Sequence, residues 1–242
     1  MSQHALLNSV EHSDLKVITQ AGAEYGDNLW FTPTFPQEFR AVSAYYPIFF
    51  HKDPATDTFH AVALFGFTHN DNLFLDGDHW QAGYIPLSLR RQPFLIGRQR
   101  FKEDGMDKEQ RVIHIDLAHP RVSRSQGEPL FLPLGGNSDY LDHMAELLET
   151  LHLGMEDGQD FVENLKRLAL LEVVTLELTL NDGSQHQMVG FYTIDEARLA
   201  QLDGETLAEL NRRGHLLAIY LAIASQSRMR DLLARKNQRL GL

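Results

Sequence analysis

Between positions 80 and 94 the chain concentrates Trp80, Tyr84, Pro86, Arg90, Arg91, Pro93 and Phe94. A guanidinium can hold a carboxylate or phosphate through two parallel hydrogen bonds, and an aromatic face can stack on a ligand or on the guanidinium itself. Trp80, Tyr84, Arg90, Arg91 and Phe94 therefore form the candidate ligand-binding set, suited to a small molecule or a peptide terminus. The competing reading is packing, because large aromatics usually enter the core and arginines often make structural pairs with acidic neighbours.

A second constellation is His114 and Asp116, two residues apart on one face of an expected strand. With His186 they would imitate the two-histidine, one-carboxylate triad of iron oxygenases, and Arg198 could then hold an oxo-acid carboxylate. Two-residue spacing is common, however, and helices expected between 138 and 171 would interrupt the continuous β-framework such enzymes use. His51, His60, His69 and His79 fall in one β-rich region without a tight ligand pair, so dispersed structural histidines are the expectation. Gly-x-Ser-x-Gly, P-loop and Gly-x-Gly-x-x-Gly motifs are absent. Asp195 and Glu196 suit the start of a helix better than catalysis. No catalytic set, metal site or cofactor is assigned.

The elements that must position these residues change character along the chain. In the first half, 15–19, 40–50, 59–67, 72–75, 91–98 and 111–117 read as strands rich in Val, Tyr and Phe. The charged stretch 102–110 reads as an exposed loop, and the Gly- and Pro-rich 127–136 as a connector. The second half opens with a helix over 138–151 capped by Ser138, with Leu141, Met144, Ala145, Leu148 and Leu151 on one face, and helix continues over 157–171. The alternation over 172–180, the turn Asn181-Asp-Gly-Ser184 and the return over 185–194 specify a β-hairpin. From Asp195 onward the pattern is helical, with Asp203 and Gly214 as punctuation and an apolar stripe of Leu216, Leu217, Ile219, Tyr220 and Ile223. That stripe predicts packing on the chain's own sheet, with an oligomer or partner interface as the alternative. The expected fold is α+β: a β-rich region over 1–136, then a helix–hairpin–helix region over 137–242, as two parts or one continuous domain.

With 33 acidic against 22 basic residues, the formal charge is −11, a surface that repels nucleic acid and anionic lipid. The absence of cysteine excludes disulfides, thiol nucleophiles and cysteine-ligated metals. Residues 1–15 carry Glu11 and Asp14 without a basic n-region or a long apolar run, which predicts no Sec signal and a cytoplasmic location. The most apolar run, 216–224, is far shorter than the ~20 residues of a membrane span, so no membrane insertion is expected.

Several blocks resemble the SapC-like family of bacterial proteins: Asn72-Leu-Phe-Leu-Asp76, Trp80-Gln-Ala-Gly-Tyr-Ile-Pro86, Arg90-Arg-Gln-Pro-Phe94 and Gly190-Phe-Tyr-Thr-Ile-Asp195. Glu38-Phe-Arg40, Tyr46-Pro47, Leu207 to Leu210 and Gly214-His-Leu-Leu217 fit the same order and spacing, from about His12 to Leu233. The resemblance is to the soluble family, not to the peptide-transport permease of similar name. Relatives tend to be encoded beside TonB-dependent receptors, cupin-like oxygenases and proteins resembling flavin-dependent tryptophan halogenases. The resemblance thus implies a non-catalytic accessory or ligand-binding protein of a bacterial peptide-modification or TonB-dependent uptake system. Its partner would be a modifying enzyme, a receptor system, a small peptide or amino-acid-like ligand, or a second copy in a homo-oligomer. A metal-dependent oxygenase or other peptide-modifying enzyme, and a surface-layer-associated protein, are the alternatives.

Overall fold

The computed structural model describes residues 2–103 and 106–242. Helix takes 34% of the residues and strand 27%, with the strands in antiparallel sheets, so the fold class is α+β as expected. Two compact units interleave along the chain. The first comprises Met1–Asp27, Gly77–His79 and Leu87–Leu153, the second Asn28–Asp76, Trp80–Pro86 and Gly154–Leu242. Among the described residues no helix is long and apolar enough to cross a membrane.

In the first unit, Phe94–Glu103 and Met106–Asp116 form one long antiparallel hairpin, and His4–Leu6 pairs with the outer edge of the second strand. The charged stretch read as a loop over 102–110 is therefore largely ladder, with Lys102 opposite Asp107; positions 104 and 105 lie outside the described residues. Polar side chains concealed these strands because an arm exposed at 98–100, 102, 107, 110 and 111 needs no apolar alternation. Lys16–Val17 runs between Val122–Ser123 and Glu128–Pro129 in a second small sheet. The helix Asp139–Arg167 starts where the sequence placed it, the Ser138 hydroxyl accepting from the Leu141 amide at 3.1 Å. It runs unbroken through the two helical stretches anticipated separately. Its Leu141, Met144, Leu147 and Leu148 bury against Leu15, Val17, Phe94, Ile115, Leu130 and Phe131. Each such side chain contributes about 1.5–3 kcal/mol on leaving water.

The second unit is built on a five-stranded antiparallel sheet in the order Leu171–Thr179, Gln185–Ile194, Ile48–Lys52, Phe59–Leu64, Phe31–Pro33. The first two strands are the hairpin read from the sequence, closed by Asp182 accepting from the Ser184 amide at 2.9 Å. The stretch 40–50 is not one strand. Phe39–Val42 is a helical turn, and only Ile48–Lys52 joins the sheet. Phe39, Val42 and Tyr46 are all fully buried, a helix-face spacing that the β-prone composition masked. Over 72–75 the expected strand is mostly an Asx turn, Asn72 Oδ1 accepting from the Phe74 amide at 3.0 Å. Four helices follow the hairpin: Glu196–Leu199, Gly204–Arg212, His215–Ser225 and Met229–Leu240. Asp195 and Asp203 cap the first two, each accepting an amide proton at 2.8 Å. The helix His215–Ser225 lies on the sheet, with the Ser225 hydroxyl accepting from the Ile48 amide at 2.8 Å and Ala218, Ile219 and Ala222 buried beneath it.

Candidate functional site

The five residues of the aromatic–arginine segment divide between the units. Trp80 and Tyr84 belong to the second, and Arg90, Arg91 and Phe94 to the first. Trp80 sits edge-on to Phe65 and donates through Nε1 to the hydroxyl of buried Tyr46 at 2.8 Å. Tyr46 donates onward to the Tyr84 carbonyl, and burial pushes its own phenol well above the ordinary range. The Tyr84 hydroxyl donates to buried Glu38 at 2.8 Å, and Thr34 donates to the other carboxylate oxygen at 2.7 Å. In the first unit Arg90 reaches His143 at 3.3 Å. Arg91 donates to the Phe94 carbonyl at 2.8 Å, and Phe94 is fully buried against Tyr140. Burial lowers the Arg91 pKa and lifts that of Tyr140 to about 12.

His114 and Asp116 share a strand of the first unit. The His114 ring packs over Gly97, where a Cβ would come within 2.2 Å of Nδ1. Asp116 accepts the amides of Gln3 and Ala118 at 2.7 and 3.1 Å, main-chain bonds that hold its carboxyl below the ordinary range. His186 stands opposite Leu178 on the second unit's hairpin, and Arg198 reaches the Leu168 carbonyl. His51 and His60 are cross-strand neighbours, His51 lying against Phe31 and Phe191 while His60 meets Thr58. His69 tilts onto Trp30, and His79 pairs with Asp78. Among the described residues no three His, Asp or Glu side chains converge on a point that could hold a metal.

A cleft of about 480 Å³ opens instead within the second unit, between the long helix and the start of His215–Ser225. Pro36, Gln37 and Arg40 line one side, Asp157 and Asp160 another, and Arg213, Gly214, His215, Leu217 and Leu221 complete it. Asp157 and Asp160 lie three apart on the helix, hence on one face. Gly214 ends one helix and begins the next at φ 75°, a left-handed turn that favours glycine and brings Arg213 and His215 together. Arg213 pairs with Asp160 and, at 3.7 Å, with Glu209, while Gln37 donates to Asp157. Arg40 is solvent-exposed, and its guanidinium forms no hydrogen bond or ion pair with any described residue.

His215 forms the buried floor. Arg167, which can only donate, bonds Asn164 Oδ1 at 3.3 and 3.0 Å, so Asn164 turns its Nδ2 donor to His215 Nδ1 at 3.0 Å. The proton of neutral His215 is thereby placed on Nε2, which points toward Asp160 at 3.6 Å.

A family model described as SapC matches residues 7–232. The chain belongs to the SapC family. Comparison with curated proteins and with solved structures finds no match. Two of the blocks that carry the SapC resemblance, Glu38-Phe-Arg40 and Gly214-His-Leu-Leu217, bring side chains to the same cleft although they are far apart in sequence. Arg40, Asp157, Asp160, Arg213 and His215 escaped the sequence reading as a site. The legible signals were the three-residue spacing of two aspartates on a helix and a histidine directly after an inter-helix glycine.

Burial first, and the Arg213 guanidinium second, lower the His215 pKa below its ordinary 6.5 despite Asp160, Asp157 and Glu209 nearby. His119 in the first unit is lowered in the same way, by burial and then by Arg121. The unfolded chain therefore takes up these protons before the folded one does. Their contribution to stability is complete above about pH 6.5 and falls as the pH drops through the folded-state values. Urea unfolding of this SapC-family protein should accordingly give a lower midpoint at pH 5 than at pH 7.5, and His215→Gln should flatten part of the difference. Equal midpoints would contradict the assignment of neutral, buried imidazoles.

Proposed function

We propose that this protein is a non-catalytic binding protein, acting in the cytoplasm beside a bacterial peptide-modification or TonB-dependent uptake system. Its ligand site is the cleft of the second unit, and the ligand is amino-acid-like or a short peptide. The observation that carries this reading is the chemistry of the cleft: a partner-free guanidinium at Arg40 in the same hollow as the carboxylates of Asp157 and Asp160. Its volume falls within the ~300–1,000 Å³ typical of small-ligand sites. Groups of both signs in one cleft complement a zwitterion.

The polar groups also favour binding over catalysis. His215 presents a proton rather than a lone pair toward the cleft, and Asn164 and Arg167 hold it in that tautomer. That is the posture of a hydrogen-bond donor to a ligand, not of a general base. SapC-family membership supports the accessory role through the system in which such proteins are expected to work.

The test is a titration of the purified protein with free amino acids and dipeptides, followed by amide chemical shifts. Arg40→Ala is expected to weaken binding about tenfold or more, the loss of one charge-assisted pair. Arg90→Ala and Arg91→Ala are expected to leave it unchanged. The reverse pattern would move the site to the segment containing Trp80, Tyr84, Arg90, Arg91 and Phe94. Recovery of a modifying enzyme or receptor component with the tagged protein, from the cytoplasmic fraction, would support the accessory role. Recovery from the cell envelope alone would refute the location.

A further inference from the structure

The helix His215–Ser225 is apolar on nearly every side. Ala218, Ile219 and Ala222 face the core, yet Leu217 and Tyr220 stand 51% and 53% exposed, with Leu221 half-buried beside them. Positions 217, 220, 221 and 224 follow the three- and four-residue spacing of a single helix face. An outward stripe of this kind is unusual on a helix whose opposite face already fills a core. It is also continuous with the cleft, because Leu217 and Leu221 belong to the cleft wall.

The charges in the cleft differ in how fully they are used. Asp160 is held by Arg213 and approached by His215 Nε2, and Asp157 accepts from Gln37. Arg40 alone among these ionised groups has no partner among the described residues. Unused capacity is therefore for an anion. The two aspartates in the same cleft disfavour a dianion such as a phosphate monoester and are compatible with the single charge of a carboxylate.

We infer that the cleft receives the C-terminal carboxylate of a peptide on Arg40, and that apolar side chains of the preceding residues lie along Leu217, Tyr220 and Leu221. This rests on the reading of the cleft as the ligand site. Asp157 retains acceptor capacity for a peptide amide, so acidic residues close to the terminus are rejected while apolar ones are selected.

The probes are acetyl-Ala-Ala-Leu-Leu with a free carboxylate, the same peptide as its C-terminal carboxamide, and free leucine, each titrated calorimetrically into the intact protein. The carboxylate peptide is expected to bind about tenfold or more tighter than the carboxamide, and Arg40→Ala to abolish that ratio. Leu217→Ser combined with Tyr220→Ser is expected to weaken the peptide several-fold and to narrow its advantage over free leucine. Both side chains are exposed, so the fold should survive, which far-UV circular dichroism would verify. Equal binding of carboxylate and carboxamide peptides would overturn the inference. Free leucine binding as tightly as the peptide would overturn it too, while leaving the ligand-site reading intact. Failure of all three probes to bind would defeat both.

Discussion

Arg121→Ala is expected to destabilise the first unit by about 3–5 kcal/mol, because it strands a charge inside the protein. The Arg121 guanidinium meets both carboxylate oxygens of Asp27 at 2.7 and 2.6 Å, and the two residues are 8% and 2% exposed. The same guanidinium donates to the carbonyls of Ile18 and Gln20 and lies over the Tyr25 ring, while Asp27 also accepts the Gly22 amide at 2.9 Å. Removing the arginine leaves the buried carboxylate and two part-buried carbonyls without these donors. Replacing both charges, as in Asp27→Leu with Arg121→Met, is expected to recover part of the loss. The penalty lies chiefly in the buried charge that loses its guanidinium rather than in the strength of the pair. Denaturant midpoints of the single and double variants measure this. A loss below about 1 kcal/mol for Arg121→Ala would contradict the burial of the pair.

Gly66→Ala should be comparably severe, at about 3 kcal/mol or more, for steric reasons. A Cβ at this position would fall 1.5 Å from the main-chain oxygen of Asp71. Neither side can readily yield. The Gly66 amide donates to the Trp30 carbonyl at 3.0 Å, and Asp71 is held by donating its own amide proton to the Thr68 carbonyl and by Lys236 Nζ at 3.0 Å. Gly204→Ala supplies the contrast, since a Cβ there meets nothing within 4 Å and the position lies in the first turn of a helix. It should be neutral or slightly stabilising. Thermal unfolding of the two variants side by side separates the local clash from any general cost of losing a glycine.

The parts of the fold that could be read from the sequence are those governed by neighbours along the chain. The hairpin Leu171–Thr179 and Gln185–Ile194 was legible because alternation, an Asn-Asp-Gly turn and alternation again lie within a few residues of each other. The caps Ser138, Asp195 and Asp203 were legible because an N-cap oxygen bonds an amide three residues on. The readings failed where a distant partner decides. Over 40–50 aromatic content suggested a strand, but Phe39, Val42 and Tyr46 turn one helical face into the core. Over 102–110 the charge suggested a loop, whereas the facing strand supplies the pairing.

The candidate site divides in the same way. Composition and pattern alone determined the α+β class, the acidic surface, the cysteine-free chemistry and the SapC resemblance, since each is a property of residue types and local order. Tertiary structure decided that Trp80 and Tyr84 join one hydrogen-bonded chain through Tyr46 and Glu38, and that Phe94 fills a core. It also decided that Arg40, the pair Asp157 and Asp160, and Arg213 with His215 share one cleft. Their separations of over a hundred and of about fifty residues leave no periodic trace. Only the packing of the long helix and His215–Ser225 against the same sheet-based core closes those distances.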